Sequence, residues 1–521
     1  MKLNVKFLCA LILMLLITNG TSAQTIPYDG HFGEINSLIK SRYLDSVNID
    51  SMVLKMVNDY LNQPETINKI LTQLDPHSYF FNEEEYNFFK EDMSGSFSGV
   101  GLVFRIFQDT VFIVHIIEGG PAEKAGIKTG DRFLAIDNEP VSGNNKTTDD
   151  IFPMLRGGKG TDVKILVYRG ANNVTKEYTI TRDQISLKSI EAAYMLDKKT
   201  GYIRLNSFTQ NSDTEIHSAL MKLNNAGMEK LVLDLRNNTG GYFKAARHIA
   251  DEFLSDNKLI VYTEGFNSPR SDYYSTKEGV FENGKMVLLV NGETASSAEI
   301  LTGALQDQKR AVVIGTRTYG KGLIQQMYTL ADSVTALKLT TSKYYTPSGR
   351  CIQRSYSSGF ENYIDDFNLA SINSSKVSDV FKDDDWGIHP DIFIQEDTTD
   401  AYIAVNAFVD RNYIQDIAFQ YYVSHTGEFI QYRNAEDLMK NFNQTELLYS
   451  SLIQTIKEKE NELPEEERIV YTDKDLVTGK LSVQKLLKAY LAYEIWGNEG
   501  LYQVKNSNDP DITAALQELS K

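Results

Sequence analysis

The sequence predicts a multidomain α+β protein, and three observations carry that expectation. At 521 residues the chain exceeds what one hydrophobic core supports, so three or four domains are expected. Its texture changes near Gly95, where helical periodicity gives way to short strands and glycine turns. Residues 200–350 then alternate strands with helices, the pattern of an α/β core, before helical spacing returns near residue 400. The expected organisation is an export signal over 1–23, a helical region over 24–94, a β-rich domain over 95–185, an α/β core over 186–398 and a helical region over 399–521.

The first residues have the order of a signal peptide. Lys2 and Lys6 precede an unbroken apolar run over 7–17, and Thr21-Ser22-Ala23 offers small residues for cleavage before Gln24. The run is short for a membrane span. Cys9 lies inside it, so Cys351 is the one cysteine left after cleavage and no intrachain disulfide is expected. A formal net charge of −17 argues against general nucleic-acid binding, which needs basic surface to displace counterions.

Residues 31–93 read as helical, with Ile35, Leu38, Ile39 and Tyr43 on one face and Met52, Leu54, Met56, Val57 and Leu61 on another. Leu74-Asp75-Pro76-His77-Ser78-Tyr79 interrupts them as a proline turn, in which Asp75 reads as a structural hydrogen-bonding residue and not a catalytic one. The β-rich domain opens with Ser98-Gly99-Val100-Gly101-Leu102. Strands over 111–117, 132–136 and 163–168, the turns Gly119-Gly120-Pro121 and Thr129-Gly130-Asp131, and a helix over 148–155 follow. That order strongly resembles a PDZ domain. The resemblance implies that Gly99, Val100, Gly101 and Leu102 hold a peptide's terminal carboxylate through backbone N–H groups while the next strand adds the peptide as a further strand. An all-β domain without a ligand is the plainer alternative.

In the core, strands over 201–208 and 230–235 flank a helix over 212–225. Lys230 to Leu235 is nearly all apolar, as in a sheet covered on both faces. The turn Arg236-Asn237-Asn238-Thr239-Gly240-Gly241 opens a helix over 244–254. A strand over 286–290, a helix starting near Ser296, a strand over 311–314, the segment Thr318-Tyr319-Gly320-Lys321-Gly322 and a strand over 336–340 complete the core. His389, before Pro390 in a polar stretch, reads as loop. The region after 400 shows no chemistry, and its charge run over 457–467 reads as a solvated helix and turn.

Ser296 stands at a helix N-terminus, where unpaired N–H groups and the helix dipole favour developing negative charge. Lys321 lies between two glycines and would act as a base once burial lowers its pKa. Gly240 and Gly241 would supply an oxyanion N–H, and Gln325 would orient the lysine. On spacing alone Ser296 is as readily an N-cap, and Thr294 and Ser297 compete with it.

These motifs together resemble the C-terminal processing, or tail-specific, serine proteases, over roughly residues 70–395. The family's S-A-S-A-S-E-I appears as Thr294-Ala295-Ser296-Ser297-Ala298-Glu299-Ile300, its F-G-K-G-x-x-Q as Tyr319-Gly320-Lys321-Gly322 with Gln325, and its D-L-R-x-N-P-G-G as Asp234 to Gly241 with Thr239 for the proline. The resemblance implies a PDZ-like domain ahead of a crotonase-like α/β core. It also implies Ser296 as nucleophile, Lys321 as base, and Gly240, Gly241 and the Ser297 N–H as oxyanion donors, with no cofactor and no metal. Partners would be proteins or peptides with free C-termini, with an envelope adaptor or a second copy of the chain as further partners and no nucleic acid. The expected location is the periplasm or cell envelope. Rival readings are a catalytically silent envelope adaptor that uses the PDZ-like groove, and a serine esterase.

Overall fold

The computed structural model describes residues 30–47, 49, 64–107, 109–170, 173–276, 278–357, 359, 363 and 386–521. The expected signal peptide and the periodic run from Met52 to Leu61 lie outside these residues. The chain packs as two units. Of the described residues, one unit takes those up to Tyr86 with Gly265–Pro269 and Ile324–Ser342; the other takes those within Asn87–Glu264, Arg270–Leu323 and Lys343–Lys521.

In the first unit the helices Gly30–Arg42 and Pro64–Leu71 bury Ile35, Ile39, Ile70 and Leu71 against Leu330, Leu337 and Leu339. The helical reading of 31–93, broken by the turn over 74–79, is corrected after that turn: Tyr79–Phe81 is a strand, antiparallel to residues 336–338 of the strand Ala336–Tyr345. Pro76 ends helical pairing, and three successive aromatics suit an extended, half-buried edge. The structural reading of Asp75 holds. The residue is buried and accepts hydrogen bonds from His77 N, Ser78 N, Ser78 Oγ and Thr340 Oγ1 at 2.6–2.9 Å.

In the second unit the PDZ-like domain is a sheet in the order Leu102–Phe107, Thr110–Ile116, Arg132–Ile136, Asp162–Arg169, Val174–Thr181. Its helix Thr148–Leu155 starts on a capping box between Thr147 and Asp150. Val111, Ile113, Phe133, Ile151, Val163 and Ile165 fill the core. Among the described residues, Leu102–Phe107 is an edge strand of this sheet.

The protease-like core is a six-stranded sheet. Its strands are β1 (Ile190–Met195), β2 (Thr200–Leu205), β3 (Lys230–Asp234), β4 (Lys285–Val290), β5 (Val312–Gly315) and β6 (Ile392–Phe393), in that spatial order. β1 runs antiparallel to β2 and the rest are parallel. The crossovers α1 (Ser212–Asn225), α2 (Phe243–Asp251) and α3 (Ser297–Asp307) each join neighbouring strands in the same direction. Right-handed crossovers put all three on one face. The other face needs a cover, and the C-terminal region provides it through α4 (Asp400–Asp410), α5 (Tyr413–Ser424), α6 (Ala435–Asn441), α7 (Thr445–Glu462), α8 (Asp473–Asn506) and α9 (Pro510–Ser520). Val232, Val287, Leu289 and Ile314 of the sheet share one core with Phe408, Ile414, Leu452, Leu487 and Ile512 of these helices. Residues after 399 therefore share a hydrophobic core with the sheet. One residue of the charge run departs from the solvated reading: Glu460 is buried and bonded to Tyr413 Oη at 2.7 Å and Ile469 N at 2.6 Å.

Candidate active site

Parallel α/β sheets present ligand sites at the carboxyl ends of their strands. The loops leaving β3, β4 and β5 there carry the 236–241 turn, Ser296 and Lys321 respectively. Ser296 has φ 56° and ψ −117°. A non-glycine residue held in this region costs about 1–3 kcal/mol and persists only where its surroundings over-determine it. Ser296 lies at a sharp strand-to-helix turn, between the strand Lys285–Val290 and the helix Ser297–Asp307. The competing hydroxyls are already committed. Thr294 is fully buried with its Oγ1 2.9 Å from Leu235 O, and buried Ser297 donates its Oγ to Gly241 O at 2.9 Å. Ser296 alone of the three stays partly exposed.

The turn after β3 is held on every side. Asn237 N donates to Asn291 Oδ1, Asn238 Nδ2 to Leu205 O and Ala295 N to Asn238 O, all at 2.8–2.9 Å. Gly240, at φ 96°, lies so close to the nucleophile loop that a Cβ would sit 2.7 Å from Ser296 Cβ and from Ala295 O. Only glycine fits there. The two glycines differ in what they offer. Gly240 N–H is taken by Asn238 Oδ1 at 2.9 Å, so the expectation of Gly240 as an oxyanion donor is corrected. Gly241 N–H meets no acceptor among the described residues, while its carbonyl receives Ser297 Oγ. Ser297 N lies 2.9 Å from that same Cβ position on Gly240.

Two buried side chains tie the Ser296 and Lys321 segments together. Glu299, in the first turn of α3 and fully buried, accepts Ser296 N at 2.8 Å and Lys321 N at 2.9 Å on Oε2. On Oε1 it accepts Gly320 N at 2.7 Å and Thr318 Oγ1 at 2.6 Å. Burial pushes its carboxyl up from the usual range, and the four donors pull against that. Tyr344 Oη shares its proton between Lys321 O at 2.7 Å and Ser296 O at 3.1 Å. Burial, with Glu299 near, holds the phenol well above its ordinary pKa, so it remains a donor. Behind Gly320, the Arg354 guanidinium stacks on Tyr319 and Tyr363 at 4.9 and 4.1 Å.

Residues 199–362 match the model of peptidase family S41, 112–169 that of the PDZ domain, and 404–497 a family of unknown function. The chain is 33% identical over 359 residues to a carboxyl-terminal-processing protease of Picosynechococcus, covering 65% of this chain and 85% of that one. It is 32% identical over 342 residues to a carboxy-terminal-processing protease of Bartonella bacilliformis, covering 65% and 75%. The chain belongs to the C-terminal processing serine protease family. Among solved structures it is similar to the photosystem II D1 C-terminal processing protease, at 26% identity and a TM-score of 0.40, with 70% of this chain and 92% of that one covered.

The protease thus carries a PDZ domain ahead of its peptidase domain and binds peptide or protein substrates. In the PDZ loop, Val100 O accepts Ala122 N at 2.8 Å and Gly101 O accepts Ile117 N at 3.1 Å. A trans peptide points N–H opposite to C=O, so the N–H groups of Gly101 and Leu102 turn away from these bonds. Gly99 pairs with Asp183 on its other side. Gln325 donates Nε2 to Thr340 Oγ1 at 3.1 Å within the first unit. His389 lies in a loop, its carbonyl accepting Gln306 Nε2 at 2.8 Å. Glu299 and Asn238 appear in the sequence motifs without a role of their own, and Tyr344 lies outside those motifs. The one available signal for Glu299 was an acidic residue three positions past a helix-initial serine, a capping box.

Proposed function

We propose that the chain is an exported serine endopeptidase that takes hold of substrate C-terminal tails through its PDZ domain and cuts peptide bonds with a Ser296–Lys321 dyad. The observation that carries this reading is the strained φ of Ser296 inside a clamp that holds Lys321 through the same carboxylate oxygen. Strain at a partly exposed hydroxyl, on a segment tied through Glu299 to the segment of a lysine, suits acyl transfer.

In this mechanism neutral Lys321 Nζ takes the Ser296 Oγ proton as Oγ attacks the scissile carbonyl. The oxyanion that forms is met by Gly241 N–H and Ser297 N–H, at the positive end of α3. Protonated Lys321 then gives its proton to the departing amine, leaving an acyl-Ser296. Water, deprotonated by the same lysine, hydrolyses the ester and restores the enzyme. Gln325 is retained, on the spacing of its motif, as the residue that orients the lysine. The Gly99-to-Leu102 loop would receive the tail carboxylate, with the strand Leu102–Phe107 taking up the peptide by β-addition. Export to the periplasm or cell envelope rests on the order of charged, apolar and small residues over 1–23.

The test compares one peptide with a free C-terminus and its amidated twin, using wild type, Ser296→Ala and Lys321→Ala. The expected result is cleavage by wild type alone, with the amide cut more slowly. Wild type that binds but never cuts would favour the silent adaptor. Cleavage surviving Ser296→Ala would remove the nucleophile, and indifference to the amide would remove the carboxylate role. N-terminal sequencing of the mature chain tests export, with Gln24 the expected first residue.

A further inference from the structure

Arg236 is the residue through which the turn bearing Gly241 leaves β3. Its guanidinium is divided between two sets of carboxylates. Nε and Nη2 meet Asp234 at 3.0 and 2.7 Å, while Nη1 meets Asp509 Oδ2 and Asp511 Oδ2, each at 2.9 Å. Asp509 is the N-cap of α9 and Asp511 stands in its first turn. Asp509 uses its two oxygens for two tasks, since Oδ1 accepts Asp511 N and Ile512 N at 2.9 and 3.1 Å. The C-terminal helix therefore ends on the root of the oxyanion turn.

The charges explain why these acids matter. Asp234 is fully buried and also receives Tyr202 Oη at 2.8 Å and Arg204 at 3.1 Å. Burial raises its carboxyl, and the Arg236 and Arg204 guanidiniums more than reverse that, holding it well below the carboxylate range. Two guanidiniums thus crowd one buried carboxylate, and Arg204 Nη2 also donates to Arg236 O at 3.0 Å. Glu191 serves Arg204 at 2.9 Å, but beyond Asp234 the acids that reach Arg236 among the described residues are Asp509 and Asp511. Charge-assisted pairs of this kind fix orientation as well as energy. Arg236 leads directly into the 237–241 turn, so its side chain anchors the residue from which the turn departs, while Asn237 and Asn238 hold the turn further on. Near 1 Å of misplacement at a reacting centre costs about 10²-fold in rate.

We propose that Asp509 and Asp511 are positioning residues for catalysis: by holding Arg236 they set the 237–241 turn, so the last helix of the chain fixes where the oxyanion donor stands. This rests on the reading of Gly241 as that donor. The helical cover then has a part in the chemistry, although it touches no reacting atom.

The experiment uses the full chain with Asp509→Asn, Asp511→Asn and the double variant. Asparagine keeps the helix cap and removes the charge, so folding and pairing are separated. Glu499→Gln, which removes an exposed partner of Lys222, is the control. For the double variant kcat is expected to fall roughly 10–100-fold with KM within twofold. The affinity for a peptide aldehyde, whose hemiacetal oxygen needs the same donor, should fall by the same factor. Binding of uncut peptide, measured with Ser296→Ala as background, should be unchanged. Asp509→Glu is expected to restore part of kcat. If the double variant keeps wild-type kcat and aldehyde affinity while Ser296→Ala is inactive, the positioning role fails and the dyad reading stands. If Ser296→Ala itself cuts, the dyad reading fails first. A change confined to KM would overturn the proposal, as would an equal loss of kcat in Glu499→Gln.

Discussion

Glu299→Gln is the perturbation that probes the clamp most directly. The carboxylate accepts four hydrogen bonds, two on each oxygen, at 2.6–2.9 Å. A glutamine side chain keeps one acceptor oxygen and replaces the other by an NH₂ group. Either Ser296 N and Lys321 N, or Gly320 N and Thr318 Oγ1, then face a donor in a fully buried site. Each hydrogen bond to a charged group contributes about 1.5–3 kcal/mol, so two lost bonds cost roughly 3–6 kcal/mol. Glutamine carries no charge to bury, and relief of the desolvation that raises the Glu299 pKa returns part of this. A net loss of about 3 kcal/mol remains, which corresponds to roughly 6–12 °C in the melting temperature of the core. The strained turn at Ser296 loses the N–H anchor that sustains it, so kcat is expected to fall about 10²–10³-fold while peptide binding to the PDZ domain persists. Calorimetry, steady-state kinetics and the labelling rate of Ser296 by a fluorophosphonate read these effects. Activity within twofold of wild type, with a melting point within 1–2 °C, would refute the claim that Glu299 holds the two catalytic segments.

Three further outcomes are expected. Replacing Ala by Gly usually destabilises a protein, but at position 296 the order should reverse. Ser296→Gly should melt above Ser296→Ala by about 1 kcal/mol, because glycine adopts φ 56° without strain, and both should be inactive. Tyr344→Phe removes the hydroxyl shared by Ser296 O and Lys321 O, so urea titration should show a loss of about 1–2 kcal/mol and kinetics a fall in kcat. Glu494→Gln should be nearly neutral at pH 4.5 and stabilising at pH 8, by on the order of 2 kcal/mol in thermal melts. Burial raises the folded Glu494 carboxyl to about 7 from 4.5, against the pull of Arg105. The folded state then keeps a proton that the unfolded chain has released, so stability present below pH 4.5 is lost as pH rises to 7. A Glu494→Gln effect independent of pH would contradict this.

Much of the fold was legible because its signals are local. The helix Thr148–Leu155, the helix Ser212–Asn225 and the strand Arg132–Ile136 fall where caps, periodicity and turns put them. The strand Tyr79–Phe81 was missed because its pairing partner lies more than 250 residues away, at Ala336 to Lys338. The C-terminal helices read as a chemically silent appendage for a related reason. Helical spacing shows that Phe408, Leu452 and Leu487 are buried, but not that they are buried against Val232 and Leu289 of the sheet. At the site, the residue types and their order pointed to Ser296, Lys321 and the glycine turn. That Gly240 N–H is taken depends on the Asn238 side chain, whose rotamer no spacing predicts.

The sequence by itself determined the order of domains, the nucleophile and base candidates, and the pairing of a PDZ domain with a peptidase. These depend on residue identity and short-range pattern, which the chain carries along its length. Only the tertiary structure decided that two of three neighbouring hydroxyls, Thr294 and Ser297, are committed to carbonyls of residues 235 and 241. It also decided that one buried carboxylate holds the Ser296 and Lys321 segments, and that the last helix anchors Arg236. Those outcomes come from contacts between residues up to 275 positions apart. Such contacts exist only once the parallel sheet has brought three loops together and its uncovered face has drawn in the C-terminal helices.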